Sequence, residues 1–245
     1  RSLAVMMLAL LLALSLAYAA PAISAPKAAV NMPPAVVLNY SITARQSGIT
    51  LSGRSRLLWQ ADGASYLTTA ETSAMLLGKI LDERSEGTLD AGGLAPAAYT
   101  EKRFRKSAST TSFDRSARLI RFGETQQTQP LQGGEQDRAS AIWQLISVIR
   151  AEKKAIKPGA AWRFVVAGQR DADPWTFIVK SRERITTALG SLDTLHIVRT
   201  PPPDAQARRL DIWLAPSVEW YPVRLRFEDS NGEYIEQLIE SITKQ

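Results

Sequence analysis

Carboxylates, a lone histidine and one block of tryptophans and arginines are the side chains of this chain that could do chemistry. Asp82, Glu83, Asp114, Asp137, Asp171, Asp173 and Glu219 can each be nominated for a glycosidase acid pair. Such a pair must be held about 5 or 6.5–9.5 Å apart across a cleft, and nothing in the spacing selects one. Asp137 has a sufficient role as a helix cap. Asp171 and Asp173 flank a turn before Pro174, where Asp bonds to nearby backbone. His196 is the single histidine and there is no cysteine, which excludes disulfides, thiol nucleophiles and thiolate metal sites. Zinc sites draw three or four ligands from His, Cys and carboxylates, so no metal ligand is expected. No G-x-S-x-G elbow positions a serine, and Gly92-Gly93 and Gly133-Gly134 read as turns rather than phosphate loops. His196 itself, among Leu195, Ile197 and Val198, reads as a satisfied strand histidine. No catalytic residue and no cofactor is assigned.

The most distinctive block is 210–227, LDIWLAPSVEWYPVRLRF. Strand alternation puts Asp211 and Trp213 on the face opposite Leu210, Ile212 and Leu214, and Arg224 and Arg226 on one face of the next strand. Two readings stand. In one, a concave sheet face offers flat indoles and guanidinium forks to a ligand, with Trp213, Trp220, Arg224 and Arg226 as the ligand-binding candidates. In the other, the sheet is two-sided, with Trp213 under a helix and the arginines solvated.

The elements that would position these residues begin after an unusual start. Residues 3–16 are almost unbroken Leu, Ala, Val and Met, followed by Ala17-Tyr18-Ala19-Ala20-Pro21. An apolar run shorter than the ~20 residues that span a bilayer, ending in a small-x-small pattern, reads as a secretory signal peptide. It is assigned to 1–25, with cleavage after Ala19 or Ala25, and a flexible Pro/Ala-rich lead-in follows at 26–35. The chain does not open on Met, so its extreme N-terminus is taken to be missing. Export to the periplasm removes ATP-dependent, cytosolic and most nucleic-acid functions. The charge, +6 from 30 basic and 24 acidic residues, is spread along the chain. It forms no stripe of the kind that reads nucleic acid, although attraction to anionic lipid or acidic wall polymers stays open.

From residue 36 the pattern is that of short strands. Runs at 36–44, 49–60, 66–77, 79–89, 97–105, 110–114 and 119–122 are separated by Ser-Gly and Asp-Gly steps, which are hairpin signals. One helix is expected near 138–154, capped by Asp137, with Ile142, Leu145, Ile146 and Ile149 on its apolar face and Trp143 at the edge. Strands resume at Trp162, Phe164 and Val166 and again at Trp175, Phe177 and Val179. Pro201-Pro202-Pro203 must be a loop, and Asn231-Gly232 a type I′ turn. The fold class is therefore mainly β (α+β). It is a large curved antiparallel sheet with one central amphipathic helix packed on it, a single domain over 36–245 with no internal repeat.

Asp211-Ile212-Trp213-Leu214-Ala215-Pro216, then Tyr221-Pro222-Val223-Arg224, then Asn231-Gly232 resemble the family of exported bacterial proteins known as domain of unknown function 3108. Gly93-Leu94-Ala95-Pro96 with Tyr99, Phe113-Asp114, and Gln136-Asp137 with Ser140 and Leu145 agree in order, so the resemblance covers roughly 36–242. It implies an exported, mostly antiparallel β protein and carries over no catalytic residue. The sheet-and-helix plan is also similar to periplasmic lipoprotein carriers, a likeness of architecture alone.

The leading expectation is a non-enzymatic periplasmic binding or envelope-maintenance protein for a lipid or other envelope amphiphile. A scaffold that binds another envelope protein is the alternative, and a carbohydrate-active hydrolase the second. No nucleic-acid partner is expected, nor a stable membrane span once the signal is removed.

Overall fold

A computed structural model describes residues 29–75, 77–201 and 208–245. The expected signal peptide at 1–25, and the proline loop beyond Pro201, lie outside the described residues. Eight strands form the first meander: β1 (Val36–Gln46), β2 (Ile49–Ala61), β3 (Ser65–Ala74), β4 (Gly78–Asp90), β5 (Gly93–Arg103), β6 (Ser109–Asp114), β7 (Leu119–Arg121) and β8 (Thr128–Pro130). A short β9 (Gln136–Asp137) leads into helix α1 (Ser140–Ala151). The second meander follows with β10 (Ala161–Ala167), β11 (Ala172–Thr187), β12 (Gly190–Arg199), β13 (Arg209–Ala215), β14 (Tyr221–Glu228) and β15 (Tyr234–Lys244).

All fifteen strands belong to one sheet, because β1 pairs antiparallel with β15, Val36 opposite Lys244 and Arg45 opposite Tyr234. Among the described residues only β9 and β10 run parallel. A sheet this long cannot stay flat, since each strand twists against its neighbour. Its two wings curl until β5 and β6 meet the segments around β9 and β10. The seam is closed by scattered hydrogen bonds, most of them from side chains, rather than a ladder. Thr111 Oγ1 donates to the Gly168 carbonyl at 2.8 Å, Gln136 Nε2 to the Leu94 carbonyl at 2.8 Å, and the Glu124 amide to the Gln169 carbonyl at 2.9 Å.

Inside the curl sits α1, and nine of its twelve residues are buried. A helix that lies on an open sheet buries one face, whereas this one is enclosed. Trp143, expected at the edge of the apolar face, is instead at the centre. Its indole stacks on Trp59 with centroids 4.7 Å apart, and Nε1 donates to Thr68 Oγ1 at 2.8 Å. The helix is also shorter than the sequence pattern, because Glu152 turns extended and leaves Lys153 and Lys154 outside. The Gln144 amide docks α1 onto the β4–β5 turn, accepting from the Leu94 amide and donating to the Gly92 carbonyl, both at 2.8 Å. A Cβ on Gly93, whose φ is +111°, would collide with that amide group, so glycine is required there.

Two sequence expectations change at this level. Residues 31–35 of the Pro/Ala-rich lead-in are tied to the domain rather than free. Trp59 Nε1 donates to the Pro33 carbonyl at 3.0 Å, Tyr221 Oη to the Pro34 carbonyl at 2.9 Å, and the Asn31 amide to the Ser147 carbonyl at 2.9 Å. The β14–β15 link is a five-residue loop, not a type I′ turn. Gly232 has φ +77° but Asn231 is not left-handed, and type I′ requires both. The Asp229 carboxylate holds the loop instead, accepting from the amides of Asn231 and Glu233.

Candidate functional site

Between the N-terminal turn of α1 and the turn-side ends of β1 to β5, the interior is left open as a cavity of about 460 Å3. Its walls are inward positions of the alternating strands, among them Ile42, Leu57, Ala70, Leu225 and Phe227, and α1 contributes Ile142 and Trp143. Two buried polar atoms on this wall, Ser55 Oγ and Gln237 Oε1, have no hydrogen-bond partner among the described residues. Leaving such a group unsatisfied costs about 1–3 kcal/mol. Both stand ready to bond a polar group that enters.

One wall is ionisable. Glu83 on β4 and Glu101 on β5 are direct cross-strand partners, and Tyr99 lies on the same face as Glu101, two residues earlier. The Tyr99 hydroxyl is 2.5 Å from Glu83 Oε1 and 2.9 Å from Glu101 Oε2. A phenol has one proton to give. Burial pushes the Glu83 carboxyl up to about 7, and the negative charges of Glu101 and Asp137 add to the rise, against the Tyr99 bond. While protonated, Glu83 supplies the second proton, donating to Tyr99, which in turn donates to Glu101. The other Glu101 oxygen pairs with Arg103 Nε at 2.5 Å. Glu83 keeps some accessible surface, but that surface faces the cavity, so the apolar walls still desolvate its carboxyl.

Asp137 lies beside this wall, fully buried. It accepts from Ser85 Oγ at 2.5 Å and from the amides of Ala139 and Ser140 at 2.9 and 2.8 Å. It thus leads the chain into α1 from two residues before the N-cap, Ala139, which has no side-chain cap of its own. Burial still raises the Asp137 carboxyl to about 6 despite these bonds.

The ligand candidates read from the sequence sit elsewhere. Trp213 is on the strand face opposite Leu210, which lines the cavity. It is sandwiched between the His196 ring, 4.4 Å away and parallel to within 1°, and the Arg224 guanidinium at 4.4 Å. Its Nε1 donates to Glu183 Oε2 at 2.9 Å. The two His196 nitrogens face Glu183 Oε1 at 3.0 Å and Asp211 Oδ1 at 2.8 Å. Arg224 pairs with Glu236 at 2.5 Å, and Arg226 with Glu228 and Glu236 while covering the Tyr234 ring at 3.9 Å. The fold thus brings Trp213, Arg224 and Arg226 together on the outer face, with their polar groups already engaged. Trp220 stands apart, half-buried after the Pro216–Val218 turn.

A second depression, about 690 Å3, lies at the far end of β2 and β3 beside Asp62, Ser65, Glu86 and Gln245. It is larger but shallow and open, its Asp62 carboxylate is spent on Ala64 and Ser65, and no unpartnered buried polar atom lines it among the described residues. The interior cavity is therefore the better site. Among the described residues, no group of three His, Asp or Glu could hold a metal ion, and no helix is long and apolar enough to cross a membrane.

Of the cavity acids, Glu83 was among the sequence nominees and Glu101 was not. The Tyr99-x-Glu101-x-Arg103 alternation carries a signal, but within the basic cluster Lys102-Arg103 it reads as a solvated strand end.

A family model described as a protein of unknown function, DUF3108, matches residues 39–239. Among curated proteins, none matches the sequence significantly. Among solved structures, a β-barrel-like protein of domain of unknown function DUF1849 from Brucella abortus is similar in fold. It has a TM-score of 0.57 and 12% identity, over 88% of this chain and 99% of that one. A protein described as exported, with a YmcC-like fold, from Bacteroides fragilis aligns over 88% of this chain and 100% of its own, at 9% identity and a TM-score of 0.37. At that score the second likeness carries no weight.

Proposed function

The chain belongs to the DUF3108 family, whose function is unknown, and we propose that it is a non-enzymatic periplasmic binding protein for an envelope amphiphile. The apolar part of the ligand enters the barrel cavity. The single observation that supports this is the cavity itself. It is of ligand size, walled largely by apolar side chains, and carries two buried polar atoms that lack partners among the described residues. An apolar chain would displace water from the walls, at about 25 cal/mol per Å2 of surface covered. Ser55 and Gln237 would bond whatever polar group accompanies it. Export rests on the apolar run at 3–16 and its small-x-small ending.

The test is native mass spectrometry of protein purified from its own cells without detergent, followed by organic extraction. A reproducible adduct that extracts as lipid is expected, and Ala70→Trp, which fills the cavity, should remove it. A clean apo mass in both proteins would overturn the reading.

The Glu83–Glu101 pair favours a second reading, a carbohydrate-active hydrolase, because one acid is held protonated near neutral pH beside a second carboxylate. The space between them, however, is taken by the Tyr99 hydroxyl, and Arg103 neutralises Glu101. Glycan hydrolysis lost on both Glu83→Gln and Glu101→Gln would establish it over the binding reading.

A further inference from the structure

Strand turns at one end of the barrel form a rim around the cavity mouth. The β1–β2, β3–β4 and β5–β6 turns meet there, with the Met75 amide donating to the Ser52 carbonyl at 3.0 Å and the Phe104 amide to the Ile80 carbonyl at 2.8 Å. Among the described residues six large apolar side chains are exposed, and five of them, Ile49, Leu51, Met75, Leu77 and Phe104, lie on this rim. Met75 is 79% exposed, Ile49 61% and Leu77 55%, so nothing in the described chain covers them. Random scatter of exposed apolar residues is ordinary, but concentration at one end is not. Leu51, Ser52 and Ala74 also line the cavity, so the apolar rim and the apolar interior are one continuous surface.

The rim carries charges of both signs, and exposed cations stand among them. Its acids are hydrogen-bonded, though not all are neutralised: Glu71 and Asp82 share Lys79, Glu124 pairs with Arg170, and Glu233 accepts the Ser47 amide. Arg45, Arg105 and Lys106 are exposed and make no ion pair with any described residue. Protruding apolar side chains with cations that make no ion pair among them, Arg105 lying over the Phe104 ring at 4.9 Å, match an anionic bilayer interface, where apolar groups enter the headgroup region and Lys and Arg meet lipid phosphates.

We propose that this rim seats the protein on an anionic phospholipid surface, Ile49, Met75 and Leu77 entering the interface and Arg45, Arg105 and Lys106 contacting phosphates. The cavity mouth then opens into the bilayer, so an amphiphile passes between membrane and barrel without crossing water. The docking deepens the binding function proposed above, and the transfer route rests on that reading.

Co-flotation with vesicles tests it, using the protein in the form its host exports. Vesicles of equimolar phosphatidylglycerol and phosphatidylcholine should carry the protein, and pure phosphatidylcholine should carry at least about tenfold less. The triple variant Ile49→Ser, Met75→Ser, Leu77→Ser alters only exposed side chains. It should keep the parent unfolding midpoint and lose at least about tenfold in flotation. Arg45→Glu, Arg105→Glu and Lys106→Glu together should lose binding to the anionic vesicles. Absence of parent flotation, or a serine variant that floats like the parent, would overturn the docking. Adduct mass read on the same proteins separates the two claims. Bound lipid without flotation leaves the cavity reading intact and sinks the docking; flotation without bound lipid does the reverse.

Discussion

The barrel interior and the outer face of β12 to β14 contain similar chemistry, aromatic rings beside carboxylates and guanidinium groups, yet of the two only the interior also leaves polar atoms without partners among the described residues. On the outer face the polar groups of His196, Trp213, Arg224 and Arg226 are all engaged, in a stack and a set of ion pairs. Inside, Ser55 Oγ and Gln237 Oε1 have no partner among the described residues, and Glu83 is desolvated to the point of holding its proton near neutrality. Partner satisfaction, more than residue type, separates a stabilising cluster from a site. A saturated network has little to gain from a ligand, whereas an unsatisfied wall has hydrogen bonds still to make.

Substitutions can break or sharpen that contrast. The largest effect is expected for Trp143→Ala, which removes the stacked indole from between α1 and Trp59. A loss of about 3–5 kcal/mol of stability should appear in denaturant unfolding. Ala70→Trp should leave the barrel folded, with an overpacking cost of about 1–3 kcal/mol, while the bound adduct disappears from the native mass spectrum.

Glu83→Gln should act through pH. The folded-state carboxyl titrates at about 7, above its ordinary 4.5. Between those values the folded protein binds more protons than the unfolded chain, so stability falls as pH rises through that window, and the deficit is complete above it. The variant should therefore be more stable than the parent at pH 8, by on the order of 1–3 kcal/mol, and no more stable at pH 4. Equal differences at both pH values would show that Glu83 is not desolvated. The smallest effect is expected on the outer face. His196→Ala should cost about 1–2 kcal/mol through lost hydrogen bonds to Glu183 and Asp211, with no change in adduct mass. Loss of the adduct there would move the site to the outer face and reverse the comparison.

The outer block was more legible than the cavity for a simple reason. Alternation along one strand displays Trp213 opposite Ile212, and Arg224 and Arg226 together, within a single stretch of sequence. The interior acids are assembled across strands. Glu83 meets Glu101 only through the β4–β5 register, which a shift between Glu86 and Gly87 interrupts; Gly87 marks the irregularity locally, but not which residues of β5 it brings opposite β4. Asp137 shows the same division. Its place before an apolar helix marks it as a capping residue, and it does bond the first amides of that helix. Its burial against Ser85, fifty-two residues away in sequence, raises its carboxyl to about 6 and is invisible from the chain.

By itself the sequence determined the class of the molecule: antiparallel strands from period-two alternation and turn residues, one helix from the spacing of Ile142, Leu145, Ile146 and Ile149, and the family from motifs in fixed order. These are local or ordered signals, and local physics suffices to read them. Only the tertiary structure decided that the sheet curls until its wings meet, that the helix is enclosed rather than laid on a surface, and which face of each strand looks inward on a cavity. Curvature accumulates over fifteen strands, and where an interior stays empty depends on the summed volumes of side chains far apart in the chain. No window of sequence contains either quantity.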